Sequence, residues 1–177
     1  MSVIIQGSGG VTTNSGAVYD GISRGTAVTA SGTSVDFTGI PSWVKRITVM
    51  FNGVSTNGTS FLLVQLGDSG GIETTGYLGT STILRDAAAV AGGNYTTGFG
   101  IGILAAAYVM HGSMVLSLID SATNTWASSS NFANSNTAVM TVGAGSKPLS
   151  ATLDRVRITT VNGTDTFDAG SINILFE

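Results

Sequence analysis

The 177-residue chain contains no cysteine, so neither a disulfide nor a thiolate metal site contributes to its stability. It has one histidine, His111, which removes any mechanism that needs two imidazoles. Charge is scarce as well. Seven Lys and Arg stand against ten Asp and Glu, 10% of the residues, for a net charge of -3, whereas proteins average about 25% charged residues. So few cations make no clustered basic face of the kind that holds nucleic acid by its phosphates, and no nucleic-acid partner is expected. Long apolar runs are missing too. The longest, residues 99–110, has 12 residues, short of the ~20 that span a bilayer as a helix, so membrane insertion is not expected. The opening MSVIIQGSGG lacks a basic segment and a long apolar stretch, and no signal peptide is read there.

Small polar residues fill the space that charge leaves. Ser, Thr, Gly and Asn supply 80 of the 177 residues, while the hydrophobic fraction, 42%, is ordinary. A chain of this length buries roughly 70% of its unfolded surface as one domain. A surface so poor in charge is weakly defended against association. The composition therefore points to a β-rich chain that hides part of its exterior against copies of itself or other subunits. The plainer alternative is a monomeric sandwich coated in Ser and Thr.

Strand signals dominate the chain. Residues 1–5 could add as a strand to a neighbour, and residues 6–16 have a linker's composition, so 1–20 is read as an N-terminal arm and 21–177 as a single domain. Residues 26–38 are rich in Thr and Val. From Trp43 to Phe51 the alternation is strict, with Trp43, Ile47, Val49 and Phe51 on one face, the mark of a half-buried strand. Asn57-Gly58 and the apolar run 60–66 then predict a hairpin over 43–66. Residues 67–76 form a turn-rich loop, and the alanines of 83–91 leave a short helix and an irregular loop equally open. Further strands are predicted at 98–104, 107–119, 125–132, 153–161 and 171–177, with Asn162-Gly163 as a turn. The expected fold is all-β, an antiparallel sandwich or jelly roll.

Several residues invite a chemical reading. Asp68 and Glu73 could pair as acid and base, or join Asp86 or Asp120 around a calcium ion, but spacing in a glycine-rich loop fits solvated carboxylates better. His111 lies mid-strand and reads as a packed or interface residue, with a shared ion on a symmetry axis as the sharper option. Residues 143–147, GAGSK, lack the first glycine of a phosphate loop and precede Pro148. Gly98, Gly100 and Gly102 are expected to admit a close neighbour. No catalytic residue, metal site or cofactor is assigned. Trp126, in the polar stretch TNTWASSSNFANSN, is the first candidate for ligand binding, since an aromatic face suits a sugar ring; a core tryptophan is the alternative. Tyr77 and Tyr95 are secondary candidates on loops, and Trp43 reads as core. Arg155 and Arg157 share an outward face, where an intersubunit salt bridge is expected, with Asp154 or Asp168 as partner.

Residues 25–58 (GTAVTASGTSVDFTGIPSWVKRITVMFNGVSTNG) and 153–177 (LDRVRITTVNGTDTFDAGSINILFE) carry a family likeness. With GDSGGIETTGY (67–77) and LIDSATNTW (118–126), the chain resembles small virion proteins of tailed bacteriophages, described as tail-fibre, tail spike-tip or structural proteins. The resemblance implies a particle component, homotrimeric and exposed at a tip or surface. It implies no catalytic motif. The first 20 residues, the least family-like, would attach to other virion proteins. Assembly in a host cytoplasm and release by lysis fit the missing signal and cysteine, which makes the virion the expected location. Three functions compete: a fibre or tip domain binding a host-surface glycan or protein through many weak sites, a capsid-decoration or head–tail junction protein without receptor binding, and a polysaccharide-degrading enzyme, disfavoured for want of an acid–base pair.

Overall fold

The structure, a computed structural model, describes residues 21–85 and 91–177 together with three two-residue strands nearer the start of the chain. The rest of the predicted arm lies outside the described residues, as do residues 86–90 and with them Asp86. In chain order the strands are β1 (Ile4–Ile5), β2 (Val11–Thr12), β3 (Val18–Tyr19), β4 (Ser23–Arg24), β5 (Val28–Thr29), β6 (Ser34–Thr38), β7 (Arg46–Thr56), β8 (Leu62–Asp68) and β9 (Gly71–Ile72). Then come β10 (Leu78–Arg85), β11 (Ala91–Tyr95), β12 (Phe99–Ile101), β13 (Met110–Asp120), β14 (Thr125–Asn134), β15 (Val139–Pro148), β16 (Arg155–Thr160) and β17 (Phe167–Phe176). Among the described residues there is no helix. Ile83, Leu84 and Arg85 belong to β10, so the part of the possible helix that is described is strand.

Every strand pairing is antiparallel. A nine-stranded sheet runs β11-β10-β15-β14-β13-β7-β17-β4, with β5 also on β17. A five-stranded sheet runs β12-β8-β16-β6, with β9 on β8. Strands β1, β2 and β3 pair with one another in a small sheet of their own.

Period-two patterning builds the core. Ile47, Val49 and Phe51 of β7, Met114 and Leu116 of β13, and Ile172 and Ile174 of β17 face inward from the large sheet. Val35 and Phe37 of β6, Val156 and Ile158 of β16, and Val64 and Leu66 of β8 meet them from the small one. Burying side chains of this kind contributes about 1.5–3 kcal/mol each, and the Phe51 and Phe132 rings add a contact at 4.9 Å between centroids. β7 bulges against β13: Asn52 and Gly53 together stand between the Phe51–Gly112 and Val54–Met110 pairs, and Gly53 takes a φ of 67°. Gly112 beside it has a φ of 138°, and an added Cβ would lie 2.2 Å from the Asn131 carbonyl oxygen.

The predicted 43–66 hairpin does not form. β7 lies in the large sheet and β8 in the small one, so Asn57-Gly58 carries the chain across the sandwich. β8 is buried along its whole length, and a strand with no exposed face needs partners on both edges, which β16 and β12 supply. Asn162-Gly163 makes a second crossover, from β16 to β17. The two turns brace each other: Thr166 N–H donates to Asn57 Oδ1 at 2.8 Å, and Ser60 N–H donates to Asp165 Oδ2 at 2.9 Å. An Asn-Gly pair specifies a reversal locally, but not the sheet that receives the returning strand.

Candidate functional site

On β15 the inward-facing positions are Gly143, Gly145 and Lys147, opposite Ser130, Ser128 and Trp126 of β14. Gly143 leaves room for β10 and Gly145 for β10 and β12. An added Cβ at Gly145 would sit 3.1 Å from the Phe99 ring, and that ring meets Tyr77 edge-on at 5.1 Å. Lys147 therefore enters the interior, 3% exposed, where an ammonium needs a partner.

The segment after β8 supplies it. Glu73 accepts the Lys147 ammonium on Oε2 and the Ser150 N–H on Oε1 at 2.7 Å. Lys147 also donates to the Pro148 carbonyl at 2.6 Å and stands 5.5 Å above the Tyr77 ring. Asp68, itself buried, accepts the Ser150 hydroxyl at 2.6 Å and the Gly70 N–H at 2.7 Å. The Tyr77 hydroxyl accepts the Leu66 N–H at 2.6 Å and has the Glu73 and Leu66 carbonyls in reach for its own proton. The Ser150 hydroxyl and the Gly70 amide hold the Asp68 carboxyl below its ordinary range. Burial works against charge on Glu73, but the Lys147 and Ser150 donors outweigh it, and this carboxyl too is held low. Burial pushes the Tyr77 and Tyr95 hydroxyls up. Asp68 and Glu73 are thus tied partners of Ser150 and Lys147 and not the solvated loop carboxylates expected.

A groove of about 460 Å3 opens beside this cluster, lined by Tyr77, Leu78, Thr80, Asn94, Tyr95 and Thr96. Tyr95 is half-buried. One side of its ring lies on Gly100, where an added Cβ would stand 2.3 Å from the ring, and Phe61 is 6.1 Å away between centroids. The Thr80 hydroxyl donates to Asn94 Oδ1 at 2.9 Å. Hydroxyls, an amide and an aromatic edge thus meet at one open site. No family model, curated protein or solved structure matches the chain.

The structure brings Tyr77 and Tyr95 to one groove and leaves Trp126 elsewhere. Trp126 is 2% exposed within the core cluster, so its ring has no face for a sugar to stack on. Tyr77 is 1% exposed and holds the 66–77 segment together from within, which corrects its reading as a loop surface. Trp43, read as core, is 46% exposed and rests against Phe176 at 6.0 Å; it precedes β7 and escapes that strand's alternation.

The remaining candidates have local partners. His111 Nδ1 accepts the Gly53 N–H at 3.3 Å. Arg155 binds Asp154 through two hydrogen bonds and Arg157 binds Asp36 through two more, all within one chain. Asp154 is thus the partner of Arg155, within the same chain, while Asp168 takes the Ser55 hydroxyl. Asp120 caps its own turn through Ala122 N–H and the Thr123 hydroxyl. Gly100 and Gly102 do admit close neighbours, the Tyr95 ring and Ile83. Among the described residues no group of three His, Cys, Asp or Glu could hold a metal ion. Lys147 and Ser150 were missed as site residues. For Lys147 the signal was present, since alternation from Gly143 and Gly145 places it inward.

Proposed function

We propose that the chain is a structural protein of a tailed-bacteriophage virion, a tail-fibre or tail-tip component that takes part in attachment to the host surface. The observation that carries this reading is where the charge lies. Asp36, Asp154, Arg155 and Arg157 neutralise one another on or beside the small sheet, and Glu73 and Lys147 do so inside. A surface otherwise rich in Ser, Thr and Asn, with few charges scattered over it, suits a subunit that meets other subunits. The quoted strings resembling phage virion proteins supply the particle. The strand order supports it as well: β5-β17-β7-β13 against β6-β16-β8-β12 reads as a jelly roll, with β10–β11 and β14–β15 inserted beyond β13. Viral capsids and lectins both use that frame, although a frame does not choose a ligand.

On this reading residues 1–20 engage other virion proteins, and the groove beside Tyr95 takes a host glycan or protein segment, Tyr95 giving an aromatic edge and Thr80, Asn94 and Thr96 the polar contacts. Capsid decoration or a place at a head–tail junction is the second reading, favoured by the breadth of the large sheet's open face. Antibody labelling of intact virions, with adsorption measured in the presence of the antibody, separates the two. Label at the distal tail with adsorption blocked supports attachment; label spread over the capsid with adsorption unchanged refutes it. Tyr95→Ala in assembled virions should lower adsorption without lowering incorporation.

A further inference from the structure

The outer face of the nine-stranded sheet contrasts with the outer face of the small one. Strand register places Thr48, Val115, Ser129, Ala144 and Thr80 in one outward row across β7, β13, β14, β15 and β10. The next row is Met50, Ser113, Asn131, Val142 and Thr82, and it too carries no charge. Among the described residues ionic groups enter only at the rim, where Arg46 and Glu177 pair at 3.1 Å. Leu78, on the far strand of the face, is 72% exposed, and Ile119 at one end is 63% exposed.

We propose that this face packs against the same face of a second copy of the chain, about a twofold axis lying in the interface. The occupant follows from charge and area. A charged partner would lose hydration against such a face and find no counter-charge on it, whereas a second copy brings a surface of the same neutral chemistry. Five strands from β17 to β15, about 4.8 Å apart and about 30 Å long on this face, present roughly 700 Å2 per copy and leave β10, with the groove beside Tyr95, at the open margin. Two copies then bury on the order of 1,400 Å2, within the roughly 1,200–2,000 Å2 of stable complexes. The small side chains let the sheets approach to the usual ~10 Å. A self-matching face is the signature of a twofold contact, so a pair replaces the threefold assembly that the family resemblance implies. The inference stands whether or not the particle is a phage.

Ser129 lies near the middle of the face, where a twofold axis in the interface brings it close to its own mate. Sedimentation velocity on the full chain from 1 to 100 µM should show a dimer, and Ser129→Lys should weaken it at least tenfold. Ser129→Glu should do the same, and mixing the Lys and Glu variants should restore dimer. Thr38→Lys, on the small sheet, should leave the dimer intact, and circular dichroism checks that each variant is folded. A monomer throughout the range, a trimer, or a dimer indifferent to both Ser129 variants overturns the proposal.

Discussion

Removing Glu73 isolates a positive charge in the interior, and the size of the effect follows from how unequally the pair is buried. The Lys147 side chain is 4% exposed and that of Glu73 21%. Glu73→Ala leaves the ammonium with the Pro148 carbonyl and the Tyr77 ring, neither of which neutralises it. Breaking a buried pair from one side costs about 3 kcal/mol or more, a fall of roughly 6–12 °C in Tm for a chain of this size. Lys147→Met keeps most of the packing and leaves Glu73 partly hydrated and still bonded to Ser150 N–H, so its cost is expected near 1 kcal/mol. The double variant Glu73→Gln/Lys147→Met should return to within about 1 kcal/mol of the parent, because no uncompensated charge remains. Urea unfolding followed by the fluorescence of buried Trp126 gives all three values. If Lys147→Met costs as much as Glu73→Ala, or if the double variant is as weak as the two single losses added, the reasoning fails.

Acid should destabilise the fold through the same cluster. Asp68 and Glu73 are held below their ordinary values of 3.8 and 4.5, so the unfolded chain binds more protons as pH falls. Stability is fully present above those ordinary values and is lost as pH drops through and below them; a Tm unchanged between pH 7 and pH 3 contradicts this. Trp126→Ala should cost about 3–5 kcal/mol and Trp43→Ala much less, and iodide should quench Trp43 while sparing Trp126. Equal costs in urea unfolding, or equal quenching, would contradict the burial of Trp126. Gly100→Ala forces the Tyr95 ring from its seat and should destabilise by about 1–3 kcal/mol; an unchanged urea midpoint would show that the ring does not lie there.

Much of the candidate site was hidden for a reason that Lys147 illustrates. Its inward position was legible from alternation with Gly143 and Gly145, but its partner Glu73 lies 74 positions away, and no local pattern links them. Tyr77 looked like a loop residue because glycines and threonines precede it. Its burial comes from Phe99 and from the backbone of Leu66, both brought in by tertiary pairing. Tyr95 was recognisable as an aromatic in a polar stretch; the groove around it required β10 and β11 to lie together.

The sequence by itself determined the all-β class and which faces of β7, β16 and β17 turn inward, because period-two patterning is a property of neighbouring residues. It also determined where the chain reverses, since Asn-Gly chemistry is local. Only the tertiary structure decided that β7 and β8 belong to different sheets, that Trp126 is core while Trp43 is exposed, and that Lys147, Arg155 and Arg157 pair with carboxylates of the same chain. Those outcomes depend on which strands meet across long separations. That choice is made by total burial and edge pairing, quantities that no short window of residues contains.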